Sequence, residues 1–501
     1  MMTKPLIINV LPEPTVSFYN NAEDVDGRRG LADNKPADYN GDQQLKIGFV
    51  GLQEDIDAAR SWFAKLAQFH PAYESNASRY RDWPGFKDAL GVELDLDDRY
   101  VRPIADEAYR TRFPRAHNGP VFDELVQVFD DKVASLLGDD SPHCIVVCIP
   151  NELGDLRVSN PGLTAEERAL LETLRAEEES DQLALFQPSP DELKAAETLY
   201  SMADDLLFRT FYRALKARVM THDDAVPIQV LRRETIEKGN DTGQSHATRA
   251  WNIAVSLYYK SKGTPWRPTA LPKDVCFVGV SFHHMKRRSG HLVYASIAQA
   301  YSRDVEPFAL KGANIDHNQR RDRQIFLNAE QAEALLRDVA ENYEKRAGVA
   351  PTRIVLHKTT QYQPEELEGF DTAAKDIAPF LDLIWVRSTA FRMVRRGNFE
   401  PWRGTLCSFD KHTYLYTSGY VPWWNQYPGP HIPAPLEIGS PRDTDIEARA
   451  REILALSKMN WNSSDALGAY PITLLFARRV GELMAELGED DLPNPSYRFY
   501  V

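Results

Sequence analysis

Four polar residues in the first half of the sequence have side chains suited to holding a phosphate group. Tyr212 and Lys216 are four residues apart in a stretch that predicts a helix (206–220), so they share one helix face. Gln229 lies in the strand-like VPIQVL, and Lys260 ends a second predicted helix. Lysine and glutamine can donate to phosphate oxygens, and a tyrosine ring can stack on a base. Each residue alone also suits an ordinary surface position.

A later strand suggests nuclease architecture without nuclease chemistry. DVCFVGVSF (274–282) has the β-branched and aromatic content of a core strand, and the basic stretch HHMKRRSGH follows it. In nucleases of the RNase H type, the first strand carries an aspartate that binds a catalytic metal ion after a glycine. Here Val280 follows Gly279. Valine has no ligand atom for Mg²⁺.

The elements that would position Tyr212, Lys216, Gln229 and Lys260 alternate between strand and helix patterns. In residues 45–268, which we call the first unit, apolar runs predict strands at 44–52, 143–150 and 226–231, with helices at 55–69, 123–137, 206–220 and 247–263. This alternation predicts a parallel, doubly wound sheet with helices on both faces. The α/β fold class follows from it.

Residues 269–501, which we call the second unit, combine hairpin-like strands with later helices. Strands are predicted at 274–282, 291–302, 352–360, 381–388 and 412–420, and helices at 328–348, 447–461 and 470–487. This order is compatible with an RNase H-like α/β layer. Residues 1–44, rich in Pro, Asn, Asp and Gly, are predicted to form an extended N-terminal arm.

The charge of the chain is distributed unevenly. The net charge is −14, yet residues 121–205 carry 20 Asp and Glu against 5 Lys and Arg. The rest of the chain carries 54 Lys and Arg against 53 Asp and Glu, with basic clusters such as Lys286–Arg288 and Arg392–Arg396. A local basic surface decides phosphate binding more than total charge does. Residues 151–205 are predicted to be an acidic surface insertion into the first unit.

The sequence gives no sign of export or of a membrane segment. No apolar run has the length of a membrane helix, and the N-terminus has no signal-peptide pattern. The four cysteines lie mostly in apolar, strand-like runs, which predicts buried, reduced thiols. We therefore expect a cytoplasmic protein with no membrane partner.

Three stretches together resemble one known family. SKMNWNSSDALGAYPITLLFARRVGELM is similar to the closing signature of the PIWI domain of Argonaute proteins. FYRALKARVM, PIQVL and NIAVSLYYKSKGTPW follow one another as in the MID domain, which binds the 5′ end of a guide. The chain has no stretch for the N and PAZ domains, so it most resembles the short prokaryotic Argonautes. The resemblance implies a Rossmann-like MID domain followed by an RNase H-like PIWI domain.

The resemblance assigns roles to particular residues. Tyr212, Lys216, Gln229 and Lys260 would hold the first nucleotide of the guide, and Arg478 would reach a guide phosphate. In some PIWI proteins of this type, the terminal carboxylate helps hold a divalent cation at the 5′ phosphate. Val501, together with Gln229, would play that part for a structural Mg²⁺. The apolar end PSYRFYV predicts a docked tail, for which simple packing is an equal explanation.

The same resemblance implies that the chain does not cut. Slicing PIWI domains carry acidic ligands, or a histidine, at three alignable positions. Val280, Thr359 and Thr473 occupy those positions here. Asp274 and Asp410 are better explained as surface or capping residues.

Short Argonautes act with a neighbouring-gene partner that carries an APAZ region and an effector domain. That effector is sirtuin-like, a TIR NADase or a nuclease. The resemblance thus implies a sensor of invading DNA in plasmid and phage defence: a guide RNA pairs with single-stranded target DNA and releases the activity of the partner. The aromatic, proline-rich segment 421–439 is a candidate contact surface, unless it packs on its own chain.

Two other functions stay open at this stage. One is a guide-directed, Mg²⁺-dependent nuclease with a displaced acidic site in the second unit. The other is a small-molecule-binding regulator built on the first unit, where Gly48 and Gly51 follow a strand. KIGFVGLQED lacks the three-glycine phosphate fingerprint, which weighs against the regulator.

Overall fold

The structure is a computed structural model. It describes residues 5–160, 207–237, 245–286, 292–315, 320–321, 324–397, 400–429, 432–484, 486–487 and 494–501, with a few single residues between 165 and 172. None of the helices in these ranges is long and apolar enough to cross a membrane. All four cysteines are buried thiols, as predicted.

The N-terminal arm is more structured than its composition suggests. Its elements are β1 (Ile7–Val10), β2 (Val16–Ser17), β3 (Glu23–Asp24) and α1 (Gly27–Asn34). The prediction of a wholly extended arm is therefore wrong at α1. Asp26 caps this helix by accepting the Arg29 N–H at 2.9 Å. Gly30 is required there because a Cβ would lie 2.0 Å from the Phe18 ring, so the glycine that weakens the helix signal is a packing residue.

A buried ion cluster fastens the arm to the second unit. Glu13 accepts from Arg403 Nε at 3.0 Å and from Lys458 Nζ at 2.7 Å. Burial alone would raise the pKa of Glu13, but the two cations hold it below its ordinary value. A buried charge without a partner is strongly unfavourable, so the arm is an integral part of the fold.

Strands and α-helices follow one another along the first unit. The strands are β4 (Gln43–Leu52), β5 (Val92–Asp95), β6 (Val101–Ile104), β7 (Cys144–Ile149), β8 (Arg157–Ser159), β9 (Phe208–Thr210) and β10 (Ile228–Arg232). The helices are α2 (Gln53–Leu66), α3 (Phe86–Leu90), α4 (Asp106–Arg110), α5 (Gly119–Ala134), α6 (Asn151–Asp155), α7 (Phe211–Val219), α8 (Arg233–Glu237) and α9 (His246–Lys260).

The predicted doubly wound sheet is confirmed. Its strands run in the order β10-β7-β4-β5, β6 also pairs with β4, and every pairing is parallel. Side chains alternate across β4: Phe49 packs with α2 and α9 on one face, and Val50 packs with α5 and α7 on the other. This order places the ends of β10, α7 and α9 close together.

Two predictions in the first unit need correction. The helix predicted from 206 begins only at α7, because Phe208–Thr210 forms β9 and pairs antiparallel with β8. The acidic insertion does not begin at 151, because α6 and β8 belong to the fold and Leu153 is fully buried. Nearly all of the remaining acidic insertion lies outside the described residues.

The second unit is built on one large mixed sheet. The short strand β11 (Arg267–Pro268) ends the first unit and pairs with β2 of the arm. The strands of the second unit are β12 (Val275–Lys286), β13 (Leu292–Tyr301), β14 (Phe308–Ile315), β15 (Arg320–Arg321), β16 (Gln324–Ile325), β17 (Arg353–Lys358), β18 (Phe380–Ser388), β19 (Thr405–Phe409), β20 (His412–Leu415) and β21 (Leu436–Gly439). Its helices are α10 (Ala329–Ala347), α11 (Pro364–Ile377), α12 (Ile446–Leu456) and α13 (Ile472–Met484).

The sheet has nine strands in the order β1-β19-β20-β21-β18-β17-β12-β13-β14. Only β12–β17 and β17–β18 are parallel pairs, which agrees with the predicted RNase H-like layer. On one face α10 and α11 cover a core that includes Val278 and Leu356. The other face packs against α12 and α13 in the core shared with the first unit. The arm supplies the edge strand β1.

Candidate functional site

Helix α7 carries the first two residues of the predicted phosphate site. Thr210 caps its start, accepting the Arg213 N–H at 3.3 Å. Tyr212 and Lys216 lie one turn apart, with Lys216 Nζ 4.7 Å from the centre of the Tyr212 ring. Lys216 is only 3% exposed, whereas Tyr212 is 39% exposed. A buried ammonium group therefore lies beneath an accessible aromatic ring.

Strand β10 and helix α9 bring the other two residues to the same place. Lys260, the last residue of α9, donates to Gln229 Oε1 on β10. Ser256, one turn earlier, donates to the same oxygen at 3.3 Å. Lys260 is 2% exposed. The glutamine amide thus orients a second buried ammonium group.

The tail of the second unit completes the site. Lys216 Nζ donates at 2.6 Å to the main-chain oxygen of Val501, the last residue of the sequence. Tyr497, Tyr500 and Val501 are buried, which confirms that the tail is docked. Arg498 holds it by donating to the Tyr259 carbonyl oxygen and by lying over that ring at 4.6 Å. Residues almost 290 positions apart in the chain therefore form one site.

The electrostatics of the site favour an anion. Burial, and then repulsion by Lys216, lowers the pKa of Lys260 to about 7. Cys144 and Tyr212 oppose this lowering, and Arg479 adds a smaller lowering of its own. A bound phosphate would add negative charge beside both lysines and restore the ordinary preference of Lys260 for its proton. The site is thus prepared for a negatively charged group.

Arg478, the fifth predicted residue, belongs to α13, but its side chain lies outside the described residues. Its half-buried neighbour Arg479 is the residue whose charge acts on Lys260. The sequence signal was present, since FARRV contains both arginines. Helical periodicity alone did not show that the charge of Arg479 would act on Lys260.

The predicted magnesium ligands fit a cation poorly. Gln229 Oε1 and the Val501 oxygen are the type of atom that Mg²⁺ accepts. Each of them, however, accepts a hydrogen bond from a buried lysine. A divalent cation there would lie beside two ammonium groups that already bond to these oxygens. The Mg²⁺ ion stays a prediction.

The positions that correspond to metal ligands in slicing PIWI domains lie near the place where β12, β17 and α13 meet. We call the side of the sheet that faces α13 the cleavage face. Gly279 is opposite His357 in the β12–β17 register, and a Cβ at Gly279 would lie 2.0 Å from the carbonyl oxygen of Thr473. The glycine therefore lets α13 approach the sheet. His357 Nδ1 is 2.8 Å from Thr473 Oγ1, and burial lowers the pKa of His357 to about 3. This imidazole is neutral at physiological pH.

The structure separates Val280 from the other two degenerate positions. Successive side chains of a strand alternate between faces. Gly279 faces α13 and Thr473, whereas Val280 is buried in the opposite core beneath α10 and α11. The prediction that Val280 holds the first ligand position is wrong for this reason. Ser281 is the β12 residue on the face of Gly279, and continuation of the register puts it opposite Thr359, which is exposed just after β17.

Asp274 and Asp410 belong to no metal-binding cluster in the described part of the chain. No group of three or more His, Cys, Asp or Glu side chains that could hold a metal ion occurs among the described residues. Asp274 and Asp410 both have positive φ angles, 57° and 54°, of the kind found in turns. Asp274 immediately precedes β12, and Asp410 lies in the turn between β19 and β20. Both predictions of a turn or surface role agree with this geometry.

A buried ion pair lies behind the cleavage face, on the side of Val280. Lys358, the residue opposite Val280, donates to both oxygens of Glu366 at 2.6 and 2.7 Å. Glu366 also accepts the main-chain N–H groups of Leu327 and Gln363. Both charged side chains are at most 2% exposed. The pair joins the end of β17 to the start of α11.

Solved structures of Argonaute and Piwi proteins have a similar arrangement. An Argonaute of Clostridium butyricum, bound to a guide DNA and a 19-mer target DNA, matches 97% of this chain at 15% identity with a TM-score of 0.59. Drosophila Piwi matches 99% at 14% identity with a TM-score of 0.58. The A. aeolicus Argonaute Aa-Ago, with an externally bound siRNA, matches 98% at 14% identity with a TM-score of 0.55.

The fold is that of Argonaute and Piwi proteins. The predicted class, a Rossmann-like MID domain followed by an RNase H-like PIWI domain, is confirmed. The chain spans 54–56% of the length of these three Argonaute and Piwi chains. No protein-family model and no curated relative matches it.

Proposed function

We propose that the chain binds a 5′-phosphorylated guide RNA and uses it in the cytoplasm to detect complementary single-stranded DNA of plasmids or phages. It signals to an APAZ-containing effector, sirtuin-like, TIR or nuclease, and does not cleave the target itself. One observation carries the guide-binding part: two buried lysines from α7 and α9 meet beside an exposed tyrosine ring. A phosphate followed by a base matches that combination of charge and stacking surface.

The direct test compares two guides that differ only at the 5′ end. Purified protein should bind a short single-stranded RNA with a 5′ phosphate more tightly than the same RNA with a 5′ hydroxyl. Nucleic acid that copurifies should be short and 5′-phosphorylated. Equal affinity for both guides would contradict the proposed site, and absence of any nucleic-acid binding would favour the small-molecule regulator.

Affinity for the phosphorylated guide should fall as pH rises above 7. The pKa of Lys260 is about 7 before binding, and a phosphate beside it raises that pKa, so binding takes up a proton. The loss can reach about tenfold per pH unit for one linked proton. The phosphate is already a dianion in this range, because its second pKa is about 6.

Fluorescence anisotropy titrations between pH 7 and 8.5 measure this dependence. The Lys260→Met variant supplies the control, since it has no lysine to titrate and its affinity should vary less with pH. A wild-type affinity that stays constant or rises across this interval would contradict the assignment of the proton to Lys260.

Target cleavage should not occur. With Mg²⁺ or Mn²⁺ and a matched guide, the purified chain should leave complementary DNA or RNA intact, because Ser281, Thr359 and Thr473 offer only neutral hydroxyls. Val280→Asp should destabilise the protein rather than restore cutting, since it buries a second carboxylate beside the Lys358–Glu366 ion pair. A guide-addressed cut, resolved on a denaturing gel, would instead support the nuclease with a displaced acidic site.

A further inference from the structure

Exposed apolar side chains concentrate at one corner of the large sheet. Fourteen large apolar side chains are exposed in the described part of the chain, and six of them lie at this corner. They are Leu6, Ile7, Ile8, Val10, Phe391 and Phe409. Clustered exposure of this kind marks interaction surfaces more often than scattered residues do.

The strand register, together with one contact between aromatic rings, shows that five of these six side chains share one face of the sheet. Ile8 is opposite Cys407 and Cys407 is opposite Tyr414, so the three lie in one row across β1, β19 and β20. Continuation of the β1–β19 register by one residue puts Leu6 opposite Phe409. Phe391 stacks on Tyr414 with ring centres 4.8 Å apart. We call Leu6, Ile8, Val10, Phe391 and Phe409 the corner patch.

The main chain of β1 is also available for pairing. Leu11 N–H donates to Gly404 O at 2.9 Å, so the odd-numbered residues of this segment bond towards β19. The N–H and C=O groups of Ile8 and Val10 therefore point away from the sheet, and none of the described strands pairs with that edge. Residues 6–10 contain neither a charge nor a proline, the usual protections of a free edge.

The opposite edge of the same sheet is protected. Strand β14 carries Lys311, and the C-terminal tail runs along part of it. Ala309 N–H donates to Pro495 O at 2.9 Å, and Phe308 forms a bridge with Ser496. In the described part of the chain, one edge of the sheet is therefore covered by the tail, and the more apolar edge is left without a neighbouring strand.

The segment 421–439, which was a candidate contact surface for a partner, does not form an exposed apolar patch comparable to the corner patch. Trp424 is 2% exposed, and its indole N–H donates to Asp26. Asn76 donates to the Trp424 carbonyl oxygen at 2.9 Å, and the last four residues form the interior strand β21. Much of this segment packs against its own chain, so the prediction of a partner surface there is not supported.

We propose that a partner protein adds a β-strand to β1 and covers the corner patch with apolar side chains. The partner is the effector of the proposed function, on which this inference rests. Strand addition supplies main-chain hydrogen bonds at Ile8 and Val10, and the patch supplies apolar contact and side-chain specificity.

A second copy of this chain is a poorer occupant. Four residues of strand are only about 13 Å long. Two copies paired edge to edge would leave both corner patches on the open face of the joined sheet. Such a contact buries far less than the roughly 800 Å² per partner of a stable interface. A partner that both extends the sheet and covers its face meets that requirement.

The test uses the full chain coexpressed with the effector encoded beside it. Ile8→Pro removes an outward N–H while leaving the bonds to β19, a substitution that edge strands tolerate. Phe409→Glu places a charge in the patch without changing the main chain. Val349→Glu is the matched control, because Val349 is 51% exposed and lies outside the corner.

Affinity for the effector should fall at least tenfold for Ile8→Pro and Phe409→Glu and stay unchanged for Val349→Glu. The amides of Ile8 and Val10 should gain hydrogen-exchange protection in the wild-type complex. Binding of 5′-phosphorylated guide is measured for every variant and should be unaffected, which also shows that the variants are folded.

Three results would overturn the docking site. One is an unchanged effector affinity in both corner variants, and another is a wild-type chain that binds guide but forms no effector complex. The third is a wild-type homodimer that Ile8→Pro converts to monomer. Loss of guide discrimination in the wild type would instead count against the proposed function.

Discussion

Replacement of Lys216 or Lys260 by methionine should weaken binding of a 5′-phosphorylated guide by roughly ten- to a hundredfold. Each lysine offers a charge-assisted hydrogen bond to the phosphate, worth about 1.5–3 kcal/mol. Methionine keeps most of the side-chain volume, so the surrounding packing of these two nearly inaccessible residues is largely retained. Equilibrium binding of labelled RNA measures the change.

The control substitution is at Lys262, two residues after Lys260. Lys262 is exposed, so Lys262→Met removes the same charge from the protein without touching the site. Its effect on affinity should be small and screened by salt. Both buried-lysine variants should bind a 5′-hydroxyl guide almost as well as wild type does. Similar losses for the two guides would mean that these lysines contact something other than the terminal phosphate.

Removal of the Glu366 carboxylate should strongly destabilise the second unit. Glu366→Ala leaves the Lys358 ammonium buried without its partner and leaves two main-chain N–H groups without their acceptor. Breaking a buried ion pair from one side typically costs about 3–5 kcal/mol. The urea concentration at the midpoint of unfolding should fall accordingly.

Two variants separate the ion pair from the helix that carries it. Glu368→Ala changes an exposed residue of α11 and should alter the free energy of unfolding by no more than about 0.5 kcal/mol. The double variant Lys358→Met with Glu366→Gln removes both charges and should recover much of the lost stability. A single Glu366→Ala variant as stable as Glu368→Ala would show that the pair contributes little.

The fold was predictable where local pattern and tertiary structure agree. Helix α10 has an asparagine cap, an apolar stripe and a glycine stop, and the structure gives it the predicted bounds within one residue. The arm was not predictable in this way. Helix α1 has two glycines and no apolar period, and its reasons lie in the Asp26 cap and in the Phe18 ring against Gly30.

The site was predictable as a set of residues but not as a geometry. Spacing put Tyr212 and Lys216 on one helix face, and they are there. No local pattern could show that Val501 reaches Lys216, because this contact joins elements nearly 290 residues apart. Val280 failed for a different reason: a shift of one residue along a strand reverses the face, and only the pairing with β17 reveals it.

The position of β1 has a consequence for biosynthesis. Ile7 pairs with Ser408, so the strand made first has no partner until some four hundred more residues have been translated. At about 5–20 residues per second, this apolar segment waits roughly 20–80 s after leaving the ribosome. Pairing of β1 with β19 is therefore a late event in folding. Until then, the nascent chain exposes an apolar strand to which chaperones can bind. The corner patch is complete only after this strand has paired with β19.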